Sequence, residues 1–150
     1  MSSFSSVCGI ATAARTLPAA RYRPAVVKLL TLDELYAVVR LDPDSELPGW
    51  LRGGRFWSAT RTASELSLVC RQEDVPAEAS AERGWCALEV AGPLDFSLTG
   101  VVASLCSPLA DAKVPIFVLS TFETDYLLVR EHDLSRSVEA LAAAGHEVDG

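Results

Sequence analysis

PIFVLSTFETDYLLVR, residues 115–130, is the stretch whose reading decides the fold. Ile116–Leu119 is a short apolar run, and Tyr126–Val129 is a second one, rich in residues that suit a pleated, half-buried surface. Between them lie Ser120, Thr121, Glu123, Thr124 and Asp125. The pattern predicts two strands joined by a tight polar turn. On pattern alone that turn has two readings. Ser, Thr and Asp close turns by bonding their own backbone. Hydroxyls and a carboxylate at the mouth of a buried hairpin also suit a small polar ligand.

The pattern recurs upstream. Phe56 to Val69 aligns without gaps on Ile116 to Val129 at an offset of 60, which sets Thr60 on Ser120 and Glu65 on Asp125. Two copies are too few for a solenoid and imply two similar small units packed as a pseudo-symmetric pair.

The chain has 150 residues, enough for one compact domain or two small ones sharing a core. Hydrophobic residues make up 49%, which supplies a buried core, and charged residues make up 22%. A net charge of −7 argues against DNA, RNA or an acidic membrane surface as partner. Cys8, Cys70, Cys86 and Cys106 show neither a CxxC nor a metal spacing, and read as reduced, mostly buried thiols. No apolar run approaches the ~20 residues of a membrane helix.

Residues 1–24 are rich in Ser and Ala, carry Arg15, Arg21 and Arg23, and contain no acidic residue. That composition suits either a disordered extension or a transit peptide, and the weak amphipathic pattern favours the extension. We expect a cytoplasmic protein, with a mitochondrial location tied to the transit-peptide reading. Residues 25–84 form a first, degraded unit: strands over Val26–Leu30 and Leu35–Leu41, at most a short helix over Leu47–Gly54, and the first hairpin. Residues 85–150 form the second unit. It has a strand at Trp85–Val90, a helix at Ser97–Ala112 capped by Asp95 or Ser97 and kinked at Pro108, and then the central hairpin. A helix at Leu134–Ala144 capped by Asp133 and a short strand from His146 complete it. The order from Trp85 is β-α-β-β-α-β. That is a ferredoxin-like, α+β arrangement of four antiparallel strands with two helices on one face.

The chemistry of catalysis is sparse. His132 and His146 lie in no metal-ligand spacing, and there is no phosphate loop or nucleophile elbow. We therefore expect no catalysis, no metal and no cofactor. Binding is easier to support. The start of the Ser97–Ala112 helix offers N–H groups to an anion, and Asp125 suits a cationic amine. Together they fit a zwitterion such as a free amino acid. The competing reading is that Ser97 and Thr99 only cap the helix and Asp125 only closes the turn.

The segments Gly92-Pro93-Leu94-Asp95-Phe96-Ser97-Leu98-Thr99-Gly100, Ser120–Val129 and Asp133-Leu134 resemble the ACT domain. They are most similar to a small ACT-domain family related to the CASTOR arginine sensors and to the regulatory domains of aspartate kinase. The likeness spans roughly Val27 to Val148. It implies tandem ACT-like units that bind an amino acid or similar metabolite where two such units meet, with a homodimer or a regulated protein as partner. Carried over residue by residue, it implies that Thr121, Phe122 and Asp125 contact the ligand. Ser97, Leu98, Thr99 and Gly100 would form the facing part of the site. Two departures stand out. CASTOR proteins carry four units where this chain has room for two, and an acidic residue that helps hold arginine in that family falls on Leu98. A ligand-free ACT-like dimerisation or scaffolding module is the alternative.

Overall fold

The computed structural model describes residues 25–95 and 98–150. Residues 1–24, with the extension and transit-peptide readings, lie outside the described residues, as do Phe96 and the predicted cap and site residue Ser97.

The described residues form one seven-stranded sheet: β1 (Lys28–Leu41), β2 (Ser58–Arg61), β3 (Leu66–Arg71), β4 (Ala81–Val90), β5 (Ile116–Ser120), β6 (Asp125–Arg130) and β7 (Glu147–Asp149). Two helices, α1 (Val101–Asp111) and α2 (Leu134–Ala143), connect β4 to β5 and β6 to β7. The strand order β2-β3-β1-β4-β6-β5 is a palindrome of hairpin, strand, strand, hairpin. Its pseudo-two-fold passes between Tyr36 on β1 and Trp85 on β4, which face each other across the antiparallel pair.

β1 is a single 14-residue strand where the sequence predicts two. Asp33-Glu34 reads as a boundary, but it falls at a register shift against β4 that the strand passes through without ending. This length changes the second unit. The ferredoxin-like order would pair the last strand with β4. The first part of β1 already occupies that edge, with Leu29 opposite Val90 and Leu30 opposite Glu89. β7 therefore adds to β1, in parallel, through Lys28↔Glu147 and Leu29↔Val148. Lys28 and Asp149 form an ion pair at this seam.

The internal repeat is present at an offset of 59, not 60. Thr62 corresponds to Thr121, because each donates its backbone N–H to the carbonyl three residues on (Glu65 and Thr124). Each also accepts that residue's N–H on its side-chain hydroxyl. Arg71 and Arg130 then end their strands, and a 3-10 turn follows each, Gln72–Asp74 and Glu131–Asp133. A one-residue slip sends every side chain to the other face of a strand. Burial resolves the choice. Leu68 and Leu127 point to the helix side, Val69 and Leu128 to the other face. Asp125 thus corresponds to buried Leu66 rather than to Glu65.

Both helices pack on one face of the second half. Val101, Leu105 and Leu109 of α1 and Leu141 of α2 bury against Leu88, Val90, Leu127 and Val129. In the first half, no helix of the described residues fills the equivalent space. Residues 47–54 form turns instead of the expected helix, and Leu51 and Val75 from connecting segments cover Val39, Leu66, Leu68 and Cys70. Gly53 sits where an added Cβ would lie 2.5 Å from an Arg71 nitrogen. Its absence of a side chain admits the Arg71 guanidinium, which binds Asp74 at 2.8 and 3.1 Å. The opposite face of the sheet carries a stack of Tyr36, Phe56 and Tyr126, with centroids 4.7 and 4.2 Å apart. Trp85 lies there beneath the Arg130 guanidinium, 4.0 Å from its ring.

Pro108 does not split α1, which runs unbroken to Asp111. Proline has no N–H to give the Ser104 carbonyl. His146 takes over that acceptor through Nε2, at 3.2 Å, while its Nδ1 accepts the Val27 N–H at 3.3 Å. An N–H can only donate, so Nδ1 is the acceptor and Nε2 carries the proton. This buried imidazole is a structural cross-link between β1, α1 and β7. His146→Ala is expected to cost about 2–3 kcal/mol by leaving the buried Ser104 carbonyl and the half-buried Val27 N–H unmet, read as a lower urea midpoint. A change below half of that would contradict this role. Asp133, expected as the α2 cap, makes no side-chain cap bond. Its carboxylate is engaged by Arg136 and by His132 (3.4 Å).

Candidate functional site

The β5–β6 turn is built by its threonines. The Thr121 hydroxyl donates to the Thr124 carbonyl at 2.9 Å and accepts the Thr124 N–H at 3.1 Å. Thr124 is buried and its own hydroxyl donates to the Val90 carbonyl, which pins the turn to the end of β4. The segment after β4 is held equally closely. Leu94 donates its N–H to the Glu123 carbonyl at 2.8 Å. A Cβ on Gly92 would lie 3.0 Å from that carbonyl oxygen and 3.3 Å from the Thr124 Cβ. Glycine at 92 is therefore what lets the two segments touch.

α1 begins four residues later than the sequence predicts. Its N-cap is Gly100, in the left-handed conformation (φ 79°), which has no side chain of its own to cap the helix. A positive φ is where glycine is at ease. Leu98 donates its N–H to the Asp95 carbonyl at 2.9 Å in the approach to the helix. The N–H groups of Val101, Val102 and Ala103 have no acceptor within the helix, by the geometry of its first turn.

Between this helix start and the turn lies a cavity of about 590 Å³. It brings together Leu98, Gly100, Thr121, Phe122 and Asp125, all singled out in the sequence. Thr99 does not line it, and Ser97 lies outside the described residues. Sequence reasoning left out other walls. Leu94, Val101 and Val102 supply apolar surface, while Asp95, Ser120 and Glu123 supply polar groups. Val101, Ser120 and Glu123 adjoin residues that were chosen, which is the signal that was available, whereas Leu94, Asp95 and Val102 do not. The Asp125 carboxylate accepts the Ser120 hydroxyl at 2.6 Å, across the last pair of the hairpin. That bond fixes its orientation and leaves its second oxygen outside the pair. Among the described residues, no Lys or Arg lines the cavity, whereas three carboxylates do. Leu98 and Phe122 are exposed at 53% and 80%, which puts apolar surface at the rim.

The described thiols and two buried phenols elsewhere are shifted away from reactivity. Burial pushes the Cys70 thiol up to about 11, and burial also raises Cys86 and Cys106. Tyr36 and Tyr126 are raised by burial first, and Glu34 and Glu89 beside them add to the shift. Among the described residues, no group of three or more His, Cys, Asp or Glu is placed to hold a metal ion. Also among the described residues, no helix is long and apolar enough to cross a membrane.

The thiols give a direct check. Native protein at neutral pH is expected to leave Cys70 and Cys86 unlabelled by a thiol reagent, with half-buried Cys106 reacting first of the three described thiols. Mass mapping of the adducts reads this out. Because the folded state holds Cys70 neutral up to about 11, its contribution to stability is complete below the unfolded thiol's range. It is lost as pH rises through about 9 towards 11.

Comparison with known proteins places this geometry. The ACT domain family matches residues 80–143, and a second family, an N-terminal domain, matches residues 34–78. The cytosolic arginine sensor for mTORC1 subunit 1 of Bos taurus is 34% identical over 99 residues, which cover 59% of this chain and 30% of that protein. The human protein of the same name shows the same figures. The chain thus spans about 30% of the length of the curated relatives it matches. A crystal structure from Agobacterium tumefaciens is 41% identical with a TM-score of 0.79, covering 83% of this chain and 93% of that one. The ligand-free regulatory subunit of aspartate kinase from Thermus thermophilus shares the fold at 14% identity, with a TM-score of 0.58 over 81% of this chain and 99% of that one. With its α+β sheet, its two helices on one face and its match over residues 80–143, the chain carries an ACT domain there and is related to the cytosolic arginine sensors.

Proposed function

We propose that this chain is a non-catalytic sensor that binds a free amino acid between the β5–β6 turn and the start of α1. One observation carries the reading: the cavity of about 590 Å³ joins an oriented carboxylate, Asp125, to the first turn of α1, whose N–H groups have no acceptor within the helix. The carboxylate suits the ligand's ammonium group, and the helix start suits its carboxylate. Leu98, Thr121 and Phe122 enclose the ligand from either side, with Gly100 and its neighbour Thr99 in the facing segment. The related arginine sensors support the ligand class by name. The three lining carboxylates favour a ligand of net positive charge over an acidic one.

Absence of catalysis is part of the proposal. The resolved shifts on thiols and phenols are all upward, towards the protonated form that is a poor nucleophile. The signal would pass to a protein partner or through a second copy, in the cytoplasm. The palindromic sheet supports two pseudo-symmetric halves, residues 25–84 and 85–150. In this reading only the second half keeps a site, since Leu66 stands where Asp125 does.

A thermal-shift screen against the proteinogenic amino acids tests the proposal. A ligand at ~100 times its dissociation constant adds about 2.7 kcal/mol of stability, a shift of several degrees. Stabilisation by one or two amino acids is the expected result. A flat screen would instead favour a scaffold whose cavity has lost its ligand.

A further inference from the structure

The pseudo-two-fold that relates the two hairpins also relates two cavities of different charge. Beside the first 3-10 turn, a cavity of about 300 Å³ is lined by Asp33, Glu34, Leu35, Arg71, Gln72 and Glu73. Beside the second, a cavity of about 400 Å³ is lined by Arg83, Gly84, Arg130, Glu131 and His132. The offset of 59 sets Arg130 on Arg71, Glu131 on Gln72 and His132 on Glu73. Tyr36 and Trp85 face each other at the axis, and just before them Glu34-Leu35 answers to Arg83-Gly84. Three carboxylates surround the Arg71 guanidinium: Glu34 at 3.9 Å, Glu73 at 2.8 Å and Asp74 at 2.8 Å. None of the three keeps its place beside Arg130. Arg83 stands for Glu34 and His132 for Glu73, while Asp133, the counterpart of Asp74, is drawn to Arg136. Arg130 has one ion pair among the described residues, with Glu82 at 2.8 Å. The Glu82 side chain is 73% exposed, so water screens that pair.

We propose that the second cavity binds a small oxyanion of the phosphate class, free or as a phosphate monoester, which supplies the negative charge that Glu34 and Glu73 supply in the first. Its two guanidiniums are held in place by bonds that do not cancel their charge. Arg83 forms no ion pair among the described residues. It donates instead to the carbonyls of Gln72, Val75 and Pro76 at 3.0, 3.3 and 2.8 Å. The Arg130 guanidinium lies on the Trp85 ring and donates to the Arg83 carbonyl at 2.8 Å. Two arginines fixed in this way are preorganised for charge-assisted N–H···O bonds to an oxyanion. Gly84 keeps the cavity open, since a Cβ there would meet nothing within 4 Å, whereas its counterpart Leu35 carries a full side chain. Glu131 is the one carboxylate of the lining among the described residues, and it opposes the anion. This cavity shares no lining residue with the one between the β5–β6 turn and α1. The inference stands whether or not that other cavity binds an amino acid.

Calorimetric titration of the full chain with inorganic phosphate, at an ionic strength held constant with chloride, tests it. The wild-type chain is expected to bind phosphate saturably. His132→Glu places the carboxylate of Glu73 at an exposed position of the second cavity, and should weaken binding about tenfold or more. Glu131→Gln restores the counterpart of Gln72 and should tighten binding about threefold or more. Glycerol 3-phosphate separates the two sources: tighter binding than phosphate identifies a monoester as the occupant, weaker binding the free anion, and both uphold the inference. Absence of saturable phosphate binding by the wild type overturns it, as does a folded His132→Glu that binds phosphate as the wild type does. If His132→Glu fails to fold, Glu131→Gln decides: no gain in affinity overturns the inference.

Discussion

Leu127→Ala is expected to lower the stability of the chain by about 4–5 kcal/mol, and its pseudo-symmetric counterpart Leu68→Ala by about 2–3 kcal/mol. Both side chains are fully buried, and both occupy the same place in their hairpins at the offset of 59. What differs is the cover. Leu127 lies beneath two regular helices, against Leu105, Leu109 and Leu141. Helices held by their own hydrogen bonds do not collapse easily into a cavity, so the lost contacts are not recovered. Leu68 lies beneath Leu51 and Val75, which come from irregular segments. These can settle into the space left by the missing methyls. Urea unfolding reads both values from the shift in midpoint at constant slope. Equal costs, or a larger cost at Leu68, would contradict the view that the first half is a looser copy of the second.

Asp125→Ala is expected to weaken amino acid binding by about tenfold to a hundredfold, the range of a lost hydrogen bond to a charged group. The carboxylate is held by the Ser120 hydroxyl at 2.6 Å and lines the cavity through the rest of its surface. Ser120→Ala removes only the orienting bond and should cost less. Asp125→Asn keeps the shape while removing the charge, and should resemble the alanine variant if the ammonium contact is ionic. Asp125 is half-buried at the start of β6 and belongs to no core cluster, so these variants should melt near the wild type without ligand. An Asp125→Ala protein with wild-type affinity would remove the carboxylate from the site.

Much of this was legible in the chain, for reasons that differ by element. The β5–β6 hairpin was readable because two apolar runs flank a turn whose residues have a specific backbone use. The helix face of α1 followed from apolar spacings, but its start did not. A left-handed Gly100 ends the preceding segment, and nothing in the spacing separates it from the Ser97–Gly100 run. The repeat was visible while its register was not, because Glu65 and Asp125 align attractively at the wrong offset. The pairs Thr62/Thr121, Arg71/Arg130 and Asp74/Asp133 carry the right one. β7 joining β1 was beyond local reading, since it depends on a 14-residue strand taking the edge of β4. So was His146, which answers a carbonyl orphaned by a proline in another element. Five of the seven predicted site residues line one cavity because a turn and a helix start that are distant in sequence meet across Gly92.

The most direct test of the account is an equilibrium titration by calorimetry, with the best amino acid from the screen added to wild-type and Asp125→Ala protein. The account predicts saturable binding at one site per chain for the wild type and little or no heat for the variant. Equal isotherms for the two proteins, or two equivalent sites per chain, would contradict it.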